Sequence, residues 1–325
     1  MASLYQDSTC RSRIVSWMRH IDICPSCASS GPLKRFVLPA IIVTLVPLLF
    51  VEPHVARWLE SNRTTKRHGE IIHEITSTYS HIRVRERGNV RCLTFVDPNG
   101  REERQSAIDI KNPHAMQLGY TTSFFASLLF REPQERVLIV GLGGGGMVRF
   151  LNHAFPETMV EAVEIDRVVV GVAKNYFGTM EGPMTKIHVA DAFDYLKEPH
   201  GPFDALYMDA FLRPSVDSGL ENVTQRLKTL EFLQSLRRQL NPGGIVAFNL
   251  HQHASSTQDD LDTLKTAFPQ VYLFGVPRTG NLIAICTIDR QRLTTETLTK
   301  RAANLETNLD VGLPWQSFVN ELQHL

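Results

Sequence analysis

The rhythm of apolar positions changes along the chain. From Ile71 to about Ile110, short β-rich runs alternate with turn residues: EIIHEITSTYSHIRVRE, then VRCLTFV, then Asp97-Pro98-Asn99-Gly100. Asn-Gly after a strand is a hairpin signal, so this segment reads as a small antiparallel sheet. A helix rich in apolar residues follows, over roughly Ala115 to Phe130. From Arg136 onward buried strands alternate with amphipathic helices, the pattern of a parallel sheet covered on both faces. The predicted strands are VLIVG (137–141), MVEAVEI (159–165), KIHVA (186–190), FDALYMD (203–209), GIVAFNL (244–250), VYLFGV (271–276) and NLIAICTI (281–288). Between them Met147, Leu151 and Ala154 share one helical face, and Leu233, Leu236 and Leu240 another. A last helix carries Leu298, Ala302, Leu305 and Leu309 on one stripe, a packing surface.

One segment breaks this pattern. Phe36 to Val51 is sixteen residues without a charge, entered through Lys34-Arg35. At about 1.5 Å per residue it is short for a hydrocarbon core near 30 Å, so Lys34 and Arg35 would snorkel or the bilayer would thin. No A-x-A site follows it, and more than thirty residues precede it, which argues for an uncleaved single anchor over a signal peptide. A buried or interfacial helix is the alternative. Flanking Lys and Arg are nearly balanced and do not fix an orientation.

Composition narrows the function classes. The chain has 325 residues, room for about two domains, and 34 basic residues against 34 acidic ones. With no net field and no basic block, nucleic acid is not an expected partner. The five cysteines are scattered outside Cys24-Pro-Ser-Cys27, and no second ligand pair follows at zinc-module spacing. They read as free thiols in a reducing compartment, with no metal site.

Candidate chemistry gathers where strands end. The first strand of the parallel region runs into Gly141-Leu142-Gly143-Gly144-Gly145-Gly146 and then a helix. Glycines let the backbone approach a ligand, and the helix start presents unpaired N–H groups. Gly141, Gly143 and Gly146 also satisfy G-x-G-x-x-G, so a dinucleotide competes. Glu164 ends the second strand, where a carboxylate can take both ribose hydroxyls of an adenosine, while Asp166 is the better helix cap. Asp191, after the third strand, suits an adenine amino group or a cap. Asp209 closes the fourth strand at the ligand-binding edge, placed to deprotonate or align an incoming amine, or to hold a loop. The long polar segment from Ala210 to Gln225 reads as a substrate lid. Asn249 and His251 face the same edge and read as polar rim residues.

In the order VLIVGLGGGG, EAVEID, HVADAFDYL, FDALYMDAF and LEFLQSLRRQLNPGGIVAFNL, residues 70–290 resemble the spermidine synthase family of polyamine aminopropyltransferases. The Asn241-Pro242-Gly243-Gly244 turn is typical of enzymes that use S-adenosylmethionine or its decarboxylated form, and it disfavours NAD. The resemblance implies an α/β fold, a Rossmann-like, seven-stranded methyltransferase-type sheet preceded by a small antiparallel β-domain; the apolar run at 36–51 adds an N-terminal apolar helix before it. Pattern and resemblance together give the plan: a leader with the anchor (1–69), the β-domain and linking helix (70–133), the cofactor-binding transferase domain (134–290) and a helical extension (291–325). It assigns Gly141, Gly143, Gly144, Gly145 and Glu164 to the nucleoside co-substrate, Asp191 to its adenine and Asp209 to the catalytic acidic position. Tyr79 and Tyr120 stand for the family's substrate-binding tyrosines.

The sequence also departs from that pattern. Gly144 replaces an Asp that meets the aminopropyl ammonium, and Ala210-Phe211-Leu212-Arg213-Pro214 replaces a D-S-S-D-P-like stretch. Tyr79-Ser80 replaces Tyr-Gln, and Tyr120-Thr121-Thr122 replaces Tyr-His-Glu. The expected function is aminopropyl transfer to a polyamine or related amine. The alternatives are an S-adenosylmethionine-dependent methyltransferase and a catalytically silent, membrane-tethered nucleoside-binding protein. The expected partners are a small amine, a membrane through residues 36–51 and a second copy in a homodimer, with the catalytic domain cytoplasmic.

Overall fold

The computed structural model describes residues 68–210, 225–252 and 257–323. The apolar run 36–51, Cys24-Pro-Ser-Cys27 and positions 211–224 of the expected lid lie outside them. Among the described residues no helix is long and apolar enough to cross a membrane.

Four strands, β1 (Glu70–Thr76), β2 (His81–Arg87), β3 (Val90–Val96) and β4 (Glu102–Asp109), form an antiparallel sheet in the order 1-2-3-4. The Asp97–Gly100 turn closes the β3–β4 hairpin: the Asp97 carboxyl accepts the N–H groups of Asn99 (2.9 Å) and Arg101 (2.8 Å), and Gly100 takes φ +78°. Period-two alternation divides the sheet's faces. Ile82, Val84, Leu93, Phe95 and Ile108 turn inward, while Arg83 and Arg85 pair with Glu102 on the other side at 2.9 and 2.7 Å. These guanidinium groups hold the Glu102 carboxyl down at about 2 against the cost of its burial. The apolar face rests on Val169, Val172 and Phe177 of helix α3 (Arg167–Phe177), which roofs the larger sheet with the smaller one.

The larger sheet contains β5 (Arg136–Val140), β6 (Met159–Glu164), β7 (Thr185–Val189), β8 (Phe203–Met208), β9 (Leu240–His251), β10 (Gln270–Gly275), β11 (Asn281–Thr287) and β12 (Leu322–Gln323). Their order is 12-10-11-9-8-5-6-7, with β5 to β9 parallel and β10, β11 and β12 in antiparallel pairings. The chain reverses direction across the sheet between β5 and β8, the switch point at which such sheets bind ligands. Strands buried on both faces read as continuous apolar runs. Val137 and Ile139 face one core with α2 (Gly146–Ala154), α7 (Thr295–Asn308) and α8 (Trp315–Asn320); Leu138 and Val140 face another with α4 (Ala192–Tyr195), α5 (Leu230–Leu236) and α6 (Thr257–Ala267).

Three local expectations need correction. The helix expected over 115–130 is a short α1 (Gly119–Ser123) followed by a 3-10 turn, Phe124–Leu129, whose residues are all buried and so carry no one-sided period. Leu240 does not extend the Leu233–Leu236 face, because α5 ends at Leu236 and Leu240 opens β9. Pairing then jumps from Phe203 opposite Leu240 to Ala205 opposite Ile245, as Pro242 and Gly243 (φ +73°) bulge the strand. The larger sheet has eight strands and not the seven expected, because the two-residue β12, paired to Leu273 and Phe274, is too short for any sequence pattern to signal.

Candidate active site

The glycine loop is built from backbone constraints. Gly141, Gly143 and Gly145 adopt φ of +93°, +53° and +71°, the left-handed region that side-chain-bearing residues avoid. Gly145 caps α2, and its N–H donates to the Leu142 carbonyl at 2.8 Å. From behind, Thr179 donates its hydroxyl to the Gly144 carbonyl (2.8 Å), which also accepts from Arg149. Arg149 is buried, binds the Pro113 carbonyl at 3.1 Å, and desolvation lowers its titration to about 10. No sequence pattern signals this support, because a lone Arg in an amphipathic helix reads as solvated.

Glu164, at the end of β6, meets the loop directly. Its Oε2 accepts the Leu142 N–H at 2.9 Å and its Oε1 the Asp166 N–H at 3.0 Å. Burial pushes its carboxyl titration up, and those N–H groups pull it back. Each carboxylate oxygen has a second lone pair, so hydroxyl donors of a sugar can still be accepted. Asp166 caps α3 by accepting the Val168 N–H at 2.9 Å, as expected of it. Asp191 caps α4 through the Phe193 N–H (2.9 Å) and pairs with Arg226 at 2.6 Å.

Asp209 follows β8, beside Gly141, at the carboxyl edge. Its N–H donates to the Val140 carbonyl at 2.8 Å, and its Oδ1 accepts from Asn249 Nδ2 at 2.9 Å. Asn249 is oriented by Asn281, whose Nδ2 donates to Asn249 Oδ1, also at 2.9 Å. This relay fixes which end of the Asn249 amide faces the carboxyl. Desolvation drives the Asp209 carboxyl up to about 7; bonds from Asn249 and the Tyr120 hydroxyl oppose this, and the nearby Glu164 charge adds to it. A carboxyl that titrates there can exchange a proton with substrate at neutral pH.

A cavity of about 250 Å³ unites these groups. Gly141, Gly143, Glu164, Asp191, Asp209 and Tyr120 line it, as do Asn249 and His251. Gly144 and Gly145 stand behind it as buried loop supports. Tyr79 lies apart, in a neighbouring shallow depression with Ser77 and Arg167, while its neighbour Ser80 lines the main cavity. Glu103, Arg104 and Gln105 of the roof also reach it and were not foreseen. A β-bulge between Leu93 and Thr94 pairings leaves Gln105 without a cross-strand partner, and its carbonyl accepts the Tyr120 hydroxyl at 3.1 Å. In the polar run EERQ no alternation marks which side chains turn inward. Among the described residues no cluster of His, Cys, Asp and Glu could hold a metal.

Residues 120–297 match the family model of the spermine/spermidine synthase domain. The chain belongs to this family. It is a transferase, like its relatives. It is 32% identical over 221 residues to the polyamine aminopropyltransferase of Vibrio vulnificus, covering 66% of this chain and 71% of that protein. It is also 32% identical over 195 residues to the eEF1A lysine and N-terminal methyltransferase of Homo sapiens, covering 56% of this chain but 27% of that much longer protein. The structure of a spermidine synthase in complex with the transition state analogue AdoDATO superposes with a TM-score of 0.60 over 79% of this chain and 86% of that one, at 16% identity, a likeness of fold. The Rossmann-like sheet and separate small antiparallel sheet agree with that neighbour.

Proposed function

We propose that the protein transfers an aminopropyl group from decarboxylated S-adenosylmethionine to a small amine. The carrying observation is the Asp209 carboxyl, titrating near 7 in the same cavity as the glycine loop and Glu164. Three features support a nucleoside in that cavity: positive-φ glycines leave the loop backbone bare, the Glu164 oxygens keep acceptor capacity for a ribose, and Asp191 lines the cavity as an acceptor for adenine. When bound, the sulfonium supplies an electrophilic carbon. Asp209 takes the acceptor's ammonium proton, freeing the nitrogen lone pair to form the new C–N bond as the C–S bond breaks and sulfur keeps its electrons. Asn249, held by Asn281, and Tyr120 keep the carboxyl aimed.

Methyl transfer from intact S-adenosylmethionine is the second reading, and a specific contact favours it. A Cβ on Gly144 would sit 2.8 Å from Ser106 Oγ and 2.9 Å from Phe177 Cδ1, so the place of the family's loop carboxylate is filled. No carboxylate there repels the carboxylate of the intact co-substrate. Restoring the family residue alone is therefore predicted to fail: Gly144→Asp should lose about 1 to 3 kcal/mol by overpacking, seen as a lower Tm, without gaining preference for the decarboxylated form. An unchanged Tm would show that Ser106 and Phe177 yield.

Calorimetric titration of the full chain with each nucleoside, followed by product analysis on amines, tests the reading. Preference for the decarboxylated form with aminopropylated product is expected. Preference for the intact form with a methylated product would move the activity to methyl transfer. Binding of either without product would leave a silent nucleoside-binding protein.

A further inference from the structure

One wall of the cavity is made by an ion pair between two segments remote in sequence. Asp191, after β7, and Leu227, before α5, both line the cavity. Arg226, the neighbour of Leu227, reaches across and donates from Nη2 to Asp191 Oδ2 at 2.6 Å. The other carboxylate oxygen, Oδ1, accepts the Phe193 N–H at 2.9 Å. Each oxygen is thus held by its own donor, and rotation of the carboxyl breaks both bonds.

An exposed ion pair contributes little, because water screens it and two long side chains must be ordered. This one is supported differently. The Arg226 guanidinium carbon lies 4.8 Å from the centroid of the Phe193 ring, and that ring stacks on Phe232 of α5 at 5.5 Å and 26°. A planar guanidinium laid on an aromatic face loses little further freedom when it also binds a carboxylate. Its backbone is fixed as well. The Arg226 carbonyl accepts the Thr229 hydroxyl at 3.1 Å, and Thr229 caps α5 by accepting the Phe232 N–H at 3.4 Å. Asp191, Arg226, Thr229, Phe232 and Phe193 therefore form a closed ring of contacts that ties α4 to α5 beside the cavity. Asp194, the next acid along α4, is the contrast: it pairs with Lys197 at 2.6 Å with both side chains more than half exposed.

We propose that Arg226 is a positioning residue for base recognition: acting through Asp191, it sets the cavity's preference for a nucleoside whose base carries an amino donor. This rests on the proposed nucleoside-dependent transfer. With one lone pair of Oδ2 taken by Arg226 and one of Oδ1 by the Phe193 N–H, each oxygen keeps a lone pair for an incoming N–H. The guanidinium takes the place of water that a bare carboxylate would hold, so an amino group meets an acceptor already oriented and partly stripped of solvent. A base without the amino group leaves that acceptor unpaired, which costs affinity. Arg226 acts at the base and not at Asp209, so the effect falls on nucleoside binding and not on the chemical step.

The test uses the full chain and two probes. One is 5′-methylthioadenosine, the thioether left when the aminopropyl carbon departs from sulfur; the other is its purine riboside counterpart, which lacks only the 6-amino group. Calorimetry gives both affinities, and steady-state assays with each sulfonium nucleoside give KM and kcat. The wild type is expected to prefer the amino-bearing probe by at least about tenfold. Arg226→Gln should cut that preference to within about threefold and raise the KM for the sulfonium nucleoside roughly 10-fold, with kcat within a few-fold and the acceptor KM unchanged. Arg226→Lys, which keeps the charge without the planar fork, should recover part of the preference. A role confined to stability would weaken both probes alike and leave their ratio as in the wild type; that result, or equal binding of the two probes by the wild type, would overturn the assignment. A preference that depends on Arg226 with no product from either sulfonium nucleoside would keep the base-recognition role and refute the transfer reading. No binding of either probe to the wild type would overturn both. If Arg226→Gln fails to fold, Phe193→Leu and Arg226→Lys carry the comparison, and a preference as strong in both as in the wild type would sink the proposal.

Discussion

Asp209→Asn is expected to move activity and stability in opposite directions. Asparagine keeps an Oδ1 to accept from Asn249, so the side chain retains its anchor, but it cannot take a proton. Turnover should fall about 100- to 10,000-fold, the usual range for removing a positioned general base. Nucleoside affinity, which the proposed function assigns to the glycine loop and Glu164, should stay within a few-fold.

Stability follows from the same carboxyl. Its folded titration lies near 7, above the ordinary 3.8, because burial disfavours the charged form. Below about pH 4 it is protonated in both folded and unfolded chains and makes no difference. Between about 4 and 7 the folded state holds a proton that the unfolded state has released, so the wild type loses stability as pH rises. Above 7 the loss is complete, roughly 2 to 4 kcal/mol from about three pKa steps at 1.4 kcal/mol each, less what water access relieves. Asp209→Asn should therefore have the higher Tm at pH 8 and a Tm close to the wild type at pH 4. The wild-type kcat/KM should rise with pH through about 7 and then level. A flat profile, or an active Asn variant, would remove Asp209 from the proton step.

The elements of the larger sheet were legible because each strand is an apolar run flanked by glycine, proline or acidic turn residues. Strands β5 to β8 begin within one residue of where pattern places them. The ends of β5, β6 and β8 carried the site, so Gly141, Glu164 and Asp209 could be placed together from the order of motifs alone. What sequence could not show came from contacts made across the roof. The bulge at Gln105 and the inward turn of Glu103 depend on hairpin register, which a run of four polar residues leaves undetermined. Asn249 reads in sequence as a rim residue, and its hydrogen-bonding role appears only because β11 brings Asn281 beside it. Tyr79 was matched by its neighbours in sequence, yet the β1–β2 turn directs Ser80, one position on, into the cavity instead. Asp191 shows that two readings can coexist, since it caps α4 and still lines the site.

Gly141→Ala should couple the losses that Asp209→Asn separates. A Cβ at this position would lie 2.4 Å from the Asp209 carbonyl oxygen and 2.9 Å from its carbon, and φ is +93°. The obstacle is backbone, not a side chain that could rotate away. Neither side can withdraw freely: the Gly141 N–H bonds the Val163 carbonyl and the Asp209 N–H bonds the Val140 carbonyl, both at 2.8 Å. Backbone strain of about 1 to 2 kcal/mol and overpacking of about 1 to 3 combine to roughly 2 to 5 kcal/mol. Because the displaced peptide carries Asp209, nucleoside affinity and turnover should fall with the Tm. Gly146→Ala is the matched control within the same glycine run, since its Cβ would meet nothing within 4 Å and it opens α2. Alanine there should fold as well as glycine or slightly better, by up to about 1 kcal/mol of helix propensity. If both variants melt alike, the close approach of Gly141 to Asp209 does not hold the two halves of the site together.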